Sequence, residues 1–232
     1  MFDVVLIITA VYFVIGAIAI LIIGKRSDPA RRRQLWLKYG TYLVIVCGIL
    51  FSTLNNKLFF WLCMGLVLGG SLEMLLVFLK SRKTGVFVTS LLPYFVFAVL
   101  FMQFASVTDP AMHLYVYAIV FVFDGFSQLS GQLFGRRKLS PSISPNKTIA
   151  GFFGGLVMAV ATGFLLQYRL SAGLFFSAFS LALASLAGDL LASWYKRLNG
   201  VKDYSNYIPG HGGILDRFDS FIAAGALSFL LI

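Results

Sequence analysis

Leu58-Phe-Phe-Trp-Leu-Cys-Met-Gly-Leu-Val-Leu-Gly-Gly-Ser-Leu-Glu-Met-Leu-Leu-Val-Phe-Leu79 decides the fold: 22 residues with one charge, Glu73. A helix needs about 20 apolar residues to cross the hydrocarbon layer of a membrane. Working outward on that ruler, comparable runs recur at 4–24, 36–54, 85–102, 112–127, 148–167, 172–195 and 214–232, of which 112–127 reads as short. The expected fold is an all-α integral membrane protein of about eight transmembrane helices. Of the 232 residues 59% are hydrophobic and 12% charged, and the mean hydropathy is +0.88. Soluble domains carry about 25% charged residues, so a water-soluble globule, a disordered chain and a disulfide scaffold are excluded. The two cysteines, Cys47 and Cys63, sit in apolar runs. Lys25 and Arg26 follow the first run and Asp3 precedes it, the reverse of a cleaved signal peptide.

The net charge of +10 is distributed by topology. Seventeen of the 19 Lys and Arg residues fall on alternate connections, around 25–38, 80–83, 136–147 and 196–217; only Lys57 and Arg169 lie elsewhere. Positive residues stay cytoplasmic, so those connections are expected inside and both termini outside. No nucleic-acid module is visible, and the basic runs read as topology signals and membrane-lipid headgroup contacts. Residues 1–110 read as an N-terminal transmembrane scaffold. Residues 111–232 read as a C-terminal catalytic half carrying the long polar loops, within one structural domain.

Ionisable groups inside spans are costly and mark function. Glu73, Asp124, Asp189, Asp216 and Asp219 qualify, and nothing in the sequence assigns a role to Glu73. Asp189, Ser193, Lys196 and Arg197 follow the spacing i, i+4, i+7, i+8, so they share one helix face running to the cytoplasm. That face suits a cavity holding a metal and phosphates, or a packing ion pair between Asp189 and Lys196 or Arg197. Pro209-Gly210-His211-Gly212-Gly213 makes a tight turn, and Asp216 and Asp219 follow at i and i+3 on a new helix. Carboxylates so spaced suit Mg²⁺, which takes one or two of them plus substrate phosphates. Ser144 fits an N-cap and Pro145 the first helical position, so the sixth span is expected to start there, with Lys147 and Thr148 beside an anion site.

These residues resemble the phosphatidate cytidylyltransferase (CDP-diacylglycerol synthase) family. Its signature is matched by Ser193-Trp194-Tyr195-Lys196-Arg197, Lys202-Asp203 and Pro209-Gly210-His211-Gly212-Gly213-Ile214-Leu215-Asp216-Arg217-Phe218-Asp219, 27 residues at fixed spacing. Ser144-Pro145-Asn146-Lys147-Thr148 resembles a second element of the family, and Asp124 with Gly131 and Phe134-Gly135 a third. Ile149-Ala150 depart from the family pattern, in which an acidic residue is common after Lys-Thr.

The resemblance implies a multi-pass enzyme of the inner membrane, a homodimer, that joins CTP and phosphatidate into CDP-diacylglycerol and pyrophosphate at the cytoplasmic face with Mg²⁺. It implies Asp189 and Asp216 as metal ligands and Lys196, Arg197, Lys202, Asp203, His211, Arg217 and Asp219 as catalytic residues. Asp124, Ser144, Asn146, Lys147, Thr148 and Ser193 become nucleotide-binding residues. The alternatives are a CTP-dependent lipid-alcohol kinase and, from another class, a small anion or lipid transporter.

Overall fold

The computed structural model describes residues 1–25, 28–167 and 175–231. Arg26, Arg169 and the expected start of the seventh span at 172 lie outside the described residues. Among the described residues there are eight helices: α1 (Phe2–Lys25), α2 (Pro29–Ser52), α3 (Asn56–Ser81), α4 (Thr84–Val107), α5 (Pro110–Phe134), α6 (Ile149–Gln167), α7 (Phe175–Leu198) and α8 (Leu215–Leu230). Six of them, α2 to α7, are long and apolar enough to cross a membrane. α8 has 16 residues, about 24 Å at 1.5 Å each, and buries a continuous run from Ser220 to Ala226. It is enclosed by protein.

Local chemistry sets the starts. Asp28 and Asp109 accept from Arg31 N at 2.6 Å and Met112 N at 2.8 Å, and each is followed by a proline at the first helical position. Asn55 caps α3 through Lys57 N at 2.9 Å. At the centre, α5 is buried continuously from His113 to Phe123. Phe59 stacks on His113 of α5, and Phe104 and Phe221 meet His113 and Tyr117 edge-on, so the core draws on both halves of the sequence.

Two expectations are corrected here. The fifth span is not short: α5 runs 25 residues, through the polar stretch Asp124–Gly131, because α6 lies close along it. A Cβ on Gly154 or Gly155 would collide with Ser130 or Ser127, so only glycine admits that approach. Nor does a helix start at Ser144. Ser144–Thr148 is a strand, β2, paired antiparallel with β1 (Lys138–Ser140), so a small hairpin joins the helices. Pro145 biases Ser144 toward extended backbone. Thr148 takes the capping role instead, its Oγ1 accepting from Gly151 N at 3.1 Å.

The basic ends of the helices gather at one end of the bundle. Ser81 Oγ donates to Asn199 Oδ1 at 2.6 Å, and Lys83 Nζ to Leu198 O at 2.6 Å. Arg197 Nε reaches Ile143 O at 3.2 Å, tying the hairpin to α7.

Candidate active site

The α7 face behaves as its spacing requires. Ser193 Oγ donates to Asp189 Oδ1 at 3.2 Å, and Asp189 Oδ2 pairs with Lys147 Nζ at 2.5 Å. The ion pair therefore crosses from α7 to the hairpin; Asp189 is not spent on Lys196 or Arg197. With 30% of its side chain exposed, it stays reachable. Two turns beyond Asp189, Lys196 Nζ pairs with Asp216 Oδ1 at 2.5 Å and lies over the Tyr204 ring at 5.2 Å. Asp216 Oδ2 accepts from Tyr204 N and Gly213 N, both at 2.8 Å. Asp216, with 2% of its side chain exposed, thus closes the 204–213 loop onto the start of α8.

Asp219 and Asp124 are half-buried, and both lie within electrostatic reach of Asp189. Asp219 Oδ1 accepts from Ser220 N at 2.7 Å, and Asp124 Oδ1 from Ser185 Oγ at 3.3 Å, binding α5 to α7. Arg197 Nη1 holds Val201 O at 3.0 Å, and Arg217 Nε holds His211 O at 2.8 Å. Both cations fasten backbone while keeping further N–H groups free of carboxylates among the described residues. Asn146 is exposed on β2, Lys202 and Asp203 are exposed on the loop before α8, Ser144 is half-buried in β2, and Thr148 is buried.

The turn needs its glycines. Gly210 and Gly212 sit at φ +75° and +86°, in the left-handed region. His211 between them places Nδ1 3.3 Å from Pro209 O and stacks on Tyr42 at 6.0 Å. Its imidazole is held below the ordinary value of 6.5, first by burial and then by the charges of Arg217 and Lys38.

Sequence reasoning missed Glu73. This carboxylate of α3 is fully buried and accepts three hydrogen bonds: Ser205 Oγ at 2.5 Å and Ile214 N at 2.8 Å on Oε1, and Leu215 N at 2.8 Å on Oε2. It supplies the anionic cap of α8 from another helix, where Ile214 offers no side-chain cap of its own. A Cβ on Gly213 would stand 2.5 Å from Glu73 Oε1, and one on Gly69 2.6 Å from Ile214. The signal was the pair Gly69-Gly70 four and three residues before an intramembrane acid. Lys38 and Tyr42 of α2 were missed too, because only the fold brings them to the turn.

A metal was expected at Asp189 and Asp216. Each carboxylate already accepts a cationic lysine, so the donors have the hard-oxygen chemistry a divalent ion takes. Among the described residues no group of three or more His, Cys, Asp or Glu could hold a metal alone.

Comparison with known proteins bears on this cluster. The profile of the cytidylyltransferase family matches residues 1–232. The chain belongs to the cytidylyltransferase family. A phosphatidate cytidylyltransferase of Haemophilus influenzae is 32% identical over 257 aligned positions, covering 93% of this chain and 88% of that protein. One from Staphylococcus haemolyticus is 41% identical over 140 residues, 57% of this chain and 54% of the relative. One from Brucella abortus is 42% identical over 120 residues, 50% and 44%. As a family member the chain is a nucleotidyltransferase, and its apolar helices make it a multi-pass membrane protein.

Proposed function

We infer that this chain is a phosphatidate cytidylyltransferase, joining CTP and phosphatidate into CDP-diacylglycerol and pyrophosphate. The observation that carries the reading is the union of the signature's charged residues at one end of the bundle, through Lys147–Asp189 and Lys196–Asp216. An oxygen of the lipid phosphate attacks the α-phosphorus of CTP. The new P–O bond forms as the bond from that phosphorus to the β-bridging oxygen breaks, and pyrophosphate leaves with the electron pair. The nucleophile is already an anion, so little base catalysis is needed. What the site supplies is orientation and positive charge on polyanions.

Lys147, on the rim, meets the triphosphate; Lys196 and Arg197 line the same helix face; Arg217 and Lys202 add charge from the loop. Asp124, Asp203, Asp219 and His211 orient these groups, and Ser144, Asn146, Thr148 and Ser193 shape the nucleotide side. Mg²⁺, when bound by Asp189 and Asp216, neutralises triphosphate charge. The proposal extends to eight spans with both termini outside, the charged end in the cytoplasm, placement in the inner membrane, and a homodimer. The basic residues shared by that end support the orientation.

The test uses purified protein with Mg²⁺, phosphatidate, and CTP labelled at the α or the γ phosphate. The α label is expected in lipid and the γ label in pyrophosphate. A γ label in a lipid alcohol, with α label left in CDP, would instead identify a kinase.

A further inference from the structure

The end of the bundle opposite the charged cluster carries a feature that the reaction does not use. Ser81, closing α3, and Lys83, just before α4, bond to Asn199 and Leu198 at the charged end. The far tips of the same two helices, Asn56 and Ser106, therefore lie a helix length away, about 39 Å for the 26 residues of α3. Between those tips is a cavity of about 220 Å³ lined by Asn56, Lys57, Phe60, Trp61, Ala105 and Ser106. Pockets that enclose a drug-sized molecule hold roughly 300–1,000 Å³, so this one suits a small polar head and not a whole nucleotide.

Lys57 stands against the charge pattern of the chain. Seventeen of the 19 Lys and Arg residues follow the connections at the charged end, and Lys57 does not. Nor does the protein neutralise it: among the described residues no carboxylate lies within ion-pair distance of Lys57. The acid nearest in sequence to any lining residue, Asp109, caps α5 through Met112 N at 2.8 Å. The lining is thus one positive charge beside two neutral groups able to donate, the Trp61 indole and the Asn56 amide.

From this cavity both helices continue as apolar faces open to the membrane. Leu68 and Leu72 follow Trp61 by seven and eleven residues, two and three turns along one face, with Trp61 67% and Leu72 60% exposed. On α4 Val99 and Phe95 stand the same two steps from Ser106, and Phe95 is 62% exposed. Lys57, one turn before Trp61, heads the α3 face. Eleven residues of helix rise about 16 Å, close to the roughly 15 Å depth of one leaflet's hydrocarbon. Trp61, met edge-on by Phe60 at 5.6 Å, is the amphipathic ring expected at the interface. A cation with no counter-ion, above two apolar faces one leaflet deep, matches an amphiphile with an anionic head and two acyl chains. A zwitterionic head would bring an ammonium to Lys57, and a bare anion would leave both faces unused.

We propose that this cavity seats the phosphate head of an anionic phospholipid from the leaflet opposite the catalytic end, with its chains along Leu68 and Leu72 of α3 and Val99 and Phe95 of α4. Such a site depends neither on the reaction inferred above nor on which side of the membrane is cytoplasmic.

The full chain in nanodiscs tests it, with Trp36→Phe and Trp194→Phe leaving Trp61 as the one indole of three. Lipids with brominated chains quench an indole they touch. Brominated phosphatidylglycerol is expected to half-quench Trp61 at about one fifth of the mole fraction that brominated phosphatidylethanolamine needs, the worth of one lysine facing an anionic lipid. Lys57→Met should make the two lipids equal, and Lys57→Arg should keep the preference. Equal quenching in the parent, or a preference that survives Lys57→Met, would overturn the site. Inorganic phosphate should displace no more lipid than chloride at the same ionic strength; stronger displacement would mark a free-anion site and overturn the lipid assignment. Should the single-tryptophan chain not fold, native mass spectrometry of the otherwise unaltered chain makes the same comparison. One fewer phosphatidylglycerol adduct in Lys57→Met supports the site, and equal numbers overturn it.

Discussion

Glu73→Gln keeps the shape of the side chain that caps α8 and removes its charge. The carboxylate accepts from Ile214 N, Leu215 N and Ser205 Oγ. A glutamine offers one carbonyl oxygen to those donors and turns an NH₂ toward the others. At least one buried N–H therefore loses its acceptor, at about 1–3 kcal/mol. The anion at the helix start is lost as well, a further 0.3–1 kcal/mol or so. At 1.36 kcal/mol for each factor of ten, the start of α8 should open roughly ten- to several-hundredfold more often. Hydrogen exchange at residues 205–217, in detergent or nanodiscs, reads this directly. Turnover should fall with it, since Asp216 and Arg217 ride on the turn that loosens. Glu73→Leu, which strands all three donors, should be worse than Gln. Ser205→Ala, which removes only a donor, should be mild. Exchange and kcat both unchanged in Glu73→Gln would refute the capping argument.

Gly213→Ala drives a methyl into Glu73 and should reproduce the Glu73→Gln phenotype; because both act on one contact, the double variant should be little worse than either in exchange and kcat. Asp189→Asn removes charge at the reachable carboxylate and should lower kcat at least a hundredfold with the unfolding midpoint kept, whereas near-normal kcat would leave Lys147–Asp189 a packing pair. His211 is held below 6.5 by burial, Arg217 and Lys38; a depressed value means its contribution to stability is complete above about 6.5 and is lost as pH falls through the folded value. An NMR titration should show that value moving up toward 6.5 in Lys38→Met, and no movement would refute the Lys38 share. A cysteine placed at the exposed Asn206 should label in intact cells only with a membrane-permeant reagent; labelling from outside would reverse the orientation.

Helix positions were legible because apolar length is a one-dimensional property. The α7 face was legible for a similar reason, since helical spacing alone aligns Asp189 with Ser193 and Lys196. The start of α6 misled because Ser-Pro is also a good strand entrance, and only pairing with Lys138–Ser140 decides between them. The length of α5 was hidden by its polar end, which is tolerable only against the glycines of α6. Glu73, Lys38 and Tyr42 could not be read from spacing, because their partners are 132 to 172 residues away in the chain. Long-range contacts of that kind leave no periodic trace. A resemblance confined to the C-terminal half therefore described the site without the N-terminal residues that hold it.

The enclosure of α8 has a consequence for biosynthesis. A chain emerging N-terminus first inserts α3 long before residues 204–230 exist, so for most of translation Glu73 has none of its three donors. A bare carboxylate within the bilayer is unfavourable by several kcal/mol, so the nascent bundle is held open, its seam beside α4 and α7 still hydrated or guarded. Arrival of α8 closes the seam, gives Glu73 its backbone donors and Lys196 its carboxylate, and assembles the turn in one event. Docking of α8 and closure of the turn that carries Asp216 and Arg217 therefore share the same contacts, and a product cut short before that helix leaves Glu73 without its donors.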